Sequence, residues 1–267
     1  MLSVPAPSEP IDHHRRCAFV MHGLNTHPQK MSDLATLAKK IGFNTTVGIL
    51  SGHQQEVKKE TDSLVSADKW RQEFKEQWSQ SVSACKGESD ERLFVAYSLG
   101  AVTGMSVFDQ EDDGILLPTK MILISPALSL RKKTILIRAL SWLPFGSLPS
   151  VNHPDYRARP STPFKHYDAL FKIHDGWKKF QWKATSQIPT LLVLSPEDEL
   201  VDSQSIEKIL KVREQTAWRI HWLSNESSTL RPRYYHLIID EQSQGKQQWD
   251  TFTDVAVRFV AGKTGAK

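Results

Sequence analysis

Residues 94–101 read Phe-Val-Ala-Tyr-Ser-Leu-Gly-Ala, an apolar run that ends at a serine and continues into a helical pattern. Ala96 and Gly100 place small residues two positions before and two positions after Ser98. A serine on a tight strand-to-helix turn projects its hydroxyl above the sheet, and the turn closes only if its neighbours are small. Serine is also a common helix N-cap, so the stretch needs support from the rest of the chain before Ser98 is taken as a nucleophile.

Short apolar runs alternate along the chain with longer segments of helical periodicity, which is typical of a parallel sheet with crossover helices. Six runs are predicted strands because they are short and rich in apolar residues. They are residues 17–21, 44–50, 93–97, 120–125, 190–195 and 218–223. The sequence therefore predicts an α/β fold with a mostly parallel sheet of about six strands, in a single domain over residues 1–267.

Apolar side chains recur at helical spacing in four segments, and we expect them to pack against the sheet. The segments are residues 31–41, 64–78, 206–213 and 249–259. Asp202 precedes the third segment and is a candidate N-cap. Because aromatic residues at this spacing usually belong to a core, we interpret them as packing residues.

One segment interrupts the alternation. Roughly sixty residues, 126–187, separate two predicted strands where a single crossover needs far fewer. The segment is rich in proline and in large aromatic residues: Trp142, Phe145, Phe164, Phe171, Trp177, Phe180 and Trp182. An insertion this apolar and irregular predicts a cap folded over another part of the domain.

Residues 20–25 read Val-Met-His-Gly-Leu-Asn and end the first predicted strand. Gly23 lets the backbone bend so that the amide of Leu24 points toward a site above the sheet. Together with the amide of Leu99, it forms a candidate oxyanion hole for a tetrahedral intermediate. We interpret His22 as a structural residue that supports this turn without transferring protons.

Residues 192–202 place four carboxylates at and after the end of a buried strand. An acid at that position can orient a histidine and stabilise its charged form. Asp198 fits the strand-end geometry and is the predicted acid. Asp202 suits helix capping, whereas Glu197 and Glu199 are interpreted as solvated loop charges.

Residues 234–240 read Tyr-Tyr-His-Leu-Ile-Ile-Asp and lie between the last predicted strand and the final helix. His236 is therefore placed to take the proton of a serine and return it to a leaving group. Four other histidines are interpreted as satisfied surface side chains: His53, His153, His166 and His174. Ser98, Asp198 and His236 follow one another just beyond predicted strands, and this joint pattern predicts a Ser-His-Asp triad.

With these motifs the sequence resembles the α/β-hydrolase superfamily of serine hydrolases over residues 17–260. The His-Gly-Leu-Asn turn, the Ala-Tyr-Ser-Leu-Gly elbow and the acid and histidine loops are together similar to those of bacterial carboxylesterases and monoacylglycerol-lipase-like enzymes. The resemblance implies that segment 126–187 is a cap that shapes an acyl pocket. Two departures stand out: Ala96 replaces a more usual glycine, and the usual N-terminal two-strand hairpin is missing from the predicted strands.

The predicted function is hydrolysis of a carboxylic ester through an acyl-enzyme, without a metal or organic cofactor. The substrate is expected to be a small ester with an apolar acyl group, such as a short- to medium-chain acyl ester or a monoacylglycerol-like molecule. A thioesterase, a peptidase or a carbon–carbon hydrolase can use the same triad. A non-catalytic binding protein on this scaffold is a further alternative.

Composition limits the partners and the location. Thirty-four basic and thirty acidic residues give a scattered net charge of +4, which argues against nucleic-acid binding. Residues 130–145 combine cations with apolar side chains. We favour a cap helix packed over the pocket, and contact with a lipid surface is the alternative. No stretch approaches the roughly 20 apolar residues of a spanning helix. The N-terminal residues lack a secretory signal, so we expect a cytoplasmic protein.

The two cysteines, Cys17 and Cys85, have neither a metal-site spacing nor the number expected of a disulfide framework. Cys17 opens an apolar run, which predicts a buried structural thiol.

Overall fold

The structure is a computed structural model that describes residues 15–54, 65–110, 114–143, 145–179, 184–223, 230 and 234–262. Its strands are β1 (Arg16–Met21), β2 (Asn44–Gly48), β3 (Glu91–Tyr97), β4 (Lys120–Ile124), β5 (Ser147–Pro149), β6 (Ser161–Pro163), β7 (Thr190–Leu194) and β8 (Trp218–Trp222). Its helices are α1 (Ser32–Lys40), α2 (Ala67–Ser81), α3 (Leu99–Phe108), α4 (Thr134–Ser141), α5 (Phe164–Lys179), α6 (Ser203–Val212), α7 (Glu241–Gln244) and α8 (Lys246–Val260).

Six strands form one sheet in the order β2-β1-β3-β4-β7-β8, and every neighbouring pair is parallel. All six predicted strands are confirmed, although β2 ends at Gly48, two residues before the predicted end. The central strands are buried on both faces, whereas the edge strands β2 and β8 each contain exposed residues. The parallel arrangement brings the carboxyl ends of all six strands to one edge, where β3 runs into α3.

Helices cover both faces of the sheet, and each face has its own apolar cluster. On one face, α2 buries Trp70, Phe74 and Trp78 completely. Phe74 and Trp78 make edge-to-face contacts with Phe94 of β3 at ring-centroid distances of 5.4 and 6.1 Å, a favourable aromatic geometry. The packing role predicted for this aromatic stripe is therefore confirmed; its first member, Leu64, lies outside the described residues.

The predicted N-cap at Asp202 is also confirmed. Its carboxylate accepts a hydrogen bond from the amide of Ser205 at 3.0 Å, which satisfies one of the unpaired amides in the first turn of α6.

Residues 126–187, referred to below as the cap segment, contain α4, the antiparallel ribbon β5–β6 and α5. Helix α5 packs against α2 and α3, and its apolar face is buried through residues that include Leu170, Ile173 and Trp177. Arg138 of α4 forms an ion pair with Asp175 of α5. Phe180 and Trp182 lie outside the described residues.

The two cysteines are joined, so the predicted free thiol at Cys17 is wrong: the sulfur atoms of Cys17 and Cys85 form a disulfide. Cys85 lies after α2, next to the start of β1. In the same place, Nη1 of Arg15 donates a hydrogen bond to the carbonyl of Ala84 at 2.9 Å. Two cysteines 68 residues apart carry no spacing signal, so only the fold reveals the pair.

Among the described residues, no helix has the length and apolar content needed to cross a bilayer. The cytoplasmic location stays a prediction, and the disulfide argues against it because such bonds persist mainly in oxidising compartments.

Candidate active site

Ser98 occupies the turn between β3 and α3 with φ +50° and ψ −112°, a conformation that is uncommon for a residue other than glycine. Its amide donates to the carbonyl of Ile124 at 3.0 Å, which ties the turn to β4. Ser98 stands at the N-cap position of α3, but its side chain makes no capping hydrogen bond. Its Oγ instead lies 2.9 Å from Nε2 of His236.

Asp198 completes a chain of hydrogen bonds with His236 and Ser98. Its Oδ2 lies 2.8 Å from Nδ1 of His236, and its Oδ1 accepts the amides of Leu200 and Val201, both at 2.8 Å. The carboxylate is therefore an acceptor for the Nδ1 proton, which leaves Nε2 of His236 free of a proton and facing the serine hydroxyl.

Burial and pairing have opposite effects on the two ionisable groups. Burial alone would raise the pKa of Asp198 and lower the pKa of His236. The charge and hydrogen bond of the partner outweigh burial, so the pKa of Asp198 lies below its ordinary value. The pKa of His236 lies above 6.5 for the same reason. The pair is thus organised to stabilise an imidazolium next to a carboxylate.

Two further side chains surround the imidazole. The ring of Tyr97 lies 5.1 Å from the ring of His236, between centroids. Oε2 of Glu199 accepts the backbone amide of His236 at 2.9 Å, and burial raises the pKa of Glu199. The interpretation of Glu199 as a solvated charge is therefore wrong, whereas Glu197 is exposed as expected.

The turn at residues 22–25 lies directly beside Ser98. A Cβ on Gly23 would be 3.1 Å from Cβ of Ser98 and 2.7 Å from the ring of Tyr97, so the turn reaches this position only with glycine. Among the described residues, neither the amide of Leu24 nor that of Leu99 donates to a protein acceptor. The two amides flank Ser98 from the turn and from the first turn of α3.

His22 holds that turn through both ring nitrogens. Nδ1 lies 2.8 Å from the carbonyl of Gly23, and Nε2 accepts the amide of Leu50 at 3.1 Å. Burial lowers the pKa of His22 to about 4, so the ring is neutral at pH 7 with its proton on Nδ1. The contacts tie the ring to the turn and to Leu50, and the supporting role of His22 stays a prediction.

Three histidines interpreted as surface residues are in fact buried, and those predictions are wrong. They are His53, His166 and His174. His153 is half-buried. His53 is the one that contacts the turn, because its Nε2 accepts the amide of Asn25 at 2.9 Å. Only the fold could reveal this, since the acceptor and donor are 28 residues apart.

Solved structures with this arrangement of sheet and helices align with nearly the whole chain. A chain of the metagenome-derived lipolytic enzymes LipS and LipT has a TM-score of 0.73 at 19% identity and covers 93% of this chain and 94% of its own. A soluble variant of the Saccharomyces cerevisiae monoglyceride lipase has a TM-score of 0.70 at 11% identity, with 95% and 89% covered. The Paleococcus ferrophilus monoacylglycerol lipase has a TM-score of 0.63 at 14% identity, with 94% and 97% covered.

The chain has the α/β-hydrolase fold. No protein-family model and no curated protein sequence matches it, so the likeness is one of structure. The described sheet of this α/β-hydrolase fold begins at β1 and is parallel throughout.

In this α/β-hydrolase fold, residues 126–187 line most of a cavity that also includes Ser98 and His236. The cavity has about 60 Å³ of free volume. Its lining is chiefly apolar, and most of it comes from the cap segment: Ala127, Leu130, Thr134, Ile137, Ser150, Val151, Asn152, Thr162, Tyr167, Leu170 and Phe171.

The cap segment is also fastened to both loops beside Ser98. At its start, Nε of Arg131 donates to the carbonyl of Asp198 at 2.6 Å. Further along, Nδ2 of Asn152 donates to the carbonyls of Leu24 and Asn25 at 2.9 and 3.0 Å. The loop that carries the acid and the turn that carries Leu24 are therefore both braced by the segment that lines the cavity.

Among the residues that the structure describes, no group of three or more His, Cys, Asp or Glu side chains is placed to hold a metal ion.

Proposed function

We propose that the protein is a serine hydrolase that cleaves carboxylic esters, with Ser98 as nucleophile, His236 as general base and Asp198 as the orienting acid. The observation that carries the proposal is the buried hydrogen-bonded chain from Ser98 Oγ through both nitrogens of His236 to Asp198 Oδ2, with distances of 2.9 and 2.8 Å. A nucleophile, a base and an orienting acid in that order are the parts required for acyl transfer.

The reaction proceeds in two steps. Ser98 Oγ attacks the ester carbonyl while Nε2 of His236 takes the hydroxyl proton, and the amides of Leu24 and Leu99 stabilise the oxyanion. Collapse of the intermediate breaks the ester bond, and His236 donates its proton to the departing alcohol. Water then attacks the acyl-enzyme with His236 again as base, which releases the acid and restores Ser98.

The cavity indicates which substrates suit the site. Its apolar lining suits an uncharged acyl group, so we propose a short- to medium-chain acyl ester or a monoacylglycerol-like substrate. The named lipolytic and monoglyceride lipase structures support this class. A thioesterase, a peptidase and a carbon–carbon hydrolase remain alternatives, because each can use the same triad.

A chain-length series of p-nitrophenyl esters tests the proposal directly. Wild type is expected to hydrolyse one range of acyl lengths best, and Ser98→Ala is expected to reduce kcat by at least about 10³-fold. Labelling by a fluorophosphonate should occur in wild type and be absent from Ser98→Ala. Activity that survives Ser98→Ala would refute the mechanism. A wild type that stays unlabelled while a control esterase reacts would favour a non-catalytic binding protein.

Exposed side chains of the cap segment favour a lipid surface as a second binding partner. Ile137 on the inner side of α4 lines the cavity, as the favoured interpretation of residues 130–145 requires. Leu136 of α4, together with Trp142 and Phe145 after the helix, is strongly exposed, at 71%, 75% and 78% respectively. Such exposed apolar side chains beside cations suit a membrane interface.

Flotation with phosphatidylcholine–phosphatidylglycerol vesicles tests this partner. Trp142→Ala should reduce co-flotation, whereas Trp222→Ala, at a less exposed tryptophan on β8, should not. Equal flotation of wild type and Trp142→Ala would count against the lipid surface.

A further inference from the structure

The turn that carries the Leu24 amide is fixed one peptide plane at a time. The carbonyl of Gly23 faces Nδ1 of His22 at 2.8 Å and accepts the amide of Thr26 at 3.2 Å. The next peptide joins Leu24 to Asn25, and its carbonyl accepts from Asn152 at 2.9 Å. Its amide donates to Nε2 of His53 at 2.9 Å. The first plane is therefore held within the turn, whereas the second depends on the side chains of Asn152 and His53 from elsewhere in the fold.

The bond to His53 determines the protonation of that ring. A backbone amide can only donate, so Nε2 of His53 must accept and the ring proton must lie on Nδ1. Nδ1 lies 3.3 Å from the carbonyls of both Leu50 and Ser51, which accept it. Burial and the neighbouring histidines hold the pKa of His53 well below 6.5, so the ring stays neutral.

The loop after β2 holds His53 in place. Its Ser51 amide donates to Oε2 of Glu73 at 2.8 Å, and its Ser51 carbonyl accepts from Nε1 of Trp70 at 3.0 Å. The His53 ring is fully buried and lies 4.6 Å from the ring of His22 and 5.6 Å from that of Trp70, between centroids. The acceptor is thus held in a buried and closely packed position.

Asn25 adopts φ +50°, a left-handed conformation in which asparagine is enriched. Loss of the acceptor would leave a buried amide without a partner, a destabilising change that the backbone can relieve by rotating. The Leu24–Asn25 plane would then be held at its carbonyl alone. Its angle to the Gly23–Leu24 plane, which carries the Leu24 amide, would be less firmly fixed.

We propose that His53 is a positioning residue for the oxyanion hole: it accepts the Asn25 amide and thereby fixes the direction of the Leu24 amide. The proposal rests on the proposed function, since a fixed Leu24 amide matters only if an oxyanion forms beside Ser98. His53 does not line the cavity, so it acts through the backbone and not on the substrate.

Two substitutions separate positioning from folding. His53→Gln places an acceptor at the reach of Nε2, whereas His53→Asn is too short to reach the Asn25 amide. We expect His53→Asn to lower kcat by about 10- to 100-fold with little change in KM, because a misdirected donor costs transition-state stabilisation. His53→Gln should recover most of that loss. His174→Asn removes another buried histidine, away from the turn, and serves as the control for stability alone.

A trifluoromethyl ketone gives a second measurement, because Ser98 converts it to a hemiketal whose oxygen occupies the oxyanion hole. Its inhibition constant should rise with the fall in kcat for His53→Asn and stay at the wild-type value for His174→Asn. Equal kcat and ketone affinity in His53→Gln and His53→Asn would overturn the positioning role and leave the proposed function intact. A wild type that neither hydrolyses esters nor binds the ketone would overturn both.

Discussion

Gly100 provides the sharpest test of how the two halves of the proposed oxyanion hole are spaced. It lies in the first turn of α3, one residue after Leu99, and faces the turn that carries Leu24. A Cβ at Gly100 would lie 2.5 Å from the backbone carbonyl oxygen of His22. Because that atom belongs to the backbone, no change of rotamer can relieve the contact, and Gly100→Ala must push α3 and the turn apart.

The size of the displacement follows from the contact distance. An ordinary carbon-to-oxygen contact is about 3.3 Å, so the present 2.5 Å must lengthen by about 0.8 Å. A misplacement of about 1 Å can cost about 100-fold in rate, and full loss of one oxyanion donor costs about 100- to 1000-fold. We therefore expect Gly100→Ala to lower kcat by about 10- to 100-fold.

Gly104→Ala is the matched control, one turn further along α3. Its Cβ would lie 2.4 Å from Cζ of Phe94 and 2.9 Å from Cζ of Phe74, in the core and away from the turn. Both variants should lose about 1–3 kcal/mol to overpacking, offset in part by the helix propensity of alanine. Steady-state kinetics on a p-nitrophenyl ester, normalised to folded protein by urea unfolding, separate the two effects.

The result that would refute the reasoning is specific. If Gly100→Ala keeps the wild-type kcat, the Leu24 and Leu99 amides do not need their present spacing. If Gly104→Ala loses kcat equally, the effect is one of general distortion of α3.

Three further predictions concern charge, covalent linkage and acid stability. Glu199→Gln keeps an acceptor for the His236 amide but removes a negative charge that, second to Asp198, raises the pKa of His236. The acid limb of the kcat/KM profile should therefore move to lower pH. A limb that stays in place or moves to higher pH would contradict this. Replacing Cys17 and Cys85 together by alanine removes a disulfide between residues 68 positions apart. The free energy of unfolding should fall by about 4 kcal/mol, while kcat at 25 °C should stay at the wild-type value. Urea midpoints equal to wild type would count against the disulfide. Burial lowers the pKa of His22 to about 4, so as pH falls the unfolded chain is protonated before the folded one. About 3 kcal/mol of stability should be lost between about pH 6.5 and about pH 4. His22→Gln should flatten that part of the plot of unfolding free energy against pH, and an unaltered slope would contradict the assignment.

The sheet and the positions of Ser98, Asp198 and His236 were predictable because local patterns encode them. An apolar run marks a buried strand, and parallel strands bring their carboxyl ends to one edge, so residues in the loops that follow three such runs can meet in space. The small residues around Ser98 added a steric requirement that is visible in the sequence itself.

What the sequence did not reveal depends on partners that are distant in the chain. Glu199 looks like a loop charge until the His236 loop is folded over it. His53 looks like a surface histidine until the Asn25 amide, 28 residues earlier, is placed against it. Cys17 and Cys85 have no local feature that pairs them. Each of these contacts is a single side chain meeting a distant group, and periodicity carries no information on such pairs.

The fastening of the cap segment has a consequence for protein engineering. Because Arg131 holds the acid loop and Asn152 holds the Leu24 turn, the segment is not an independent module that can be grafted or trimmed to change selectivity. A chimera that receives a relative's cap would lose both braces unless the junctions retained them. Broadening the range of esters through this segment should therefore begin at α4, between the two braces, where side chains can be exchanged without disturbing either loop.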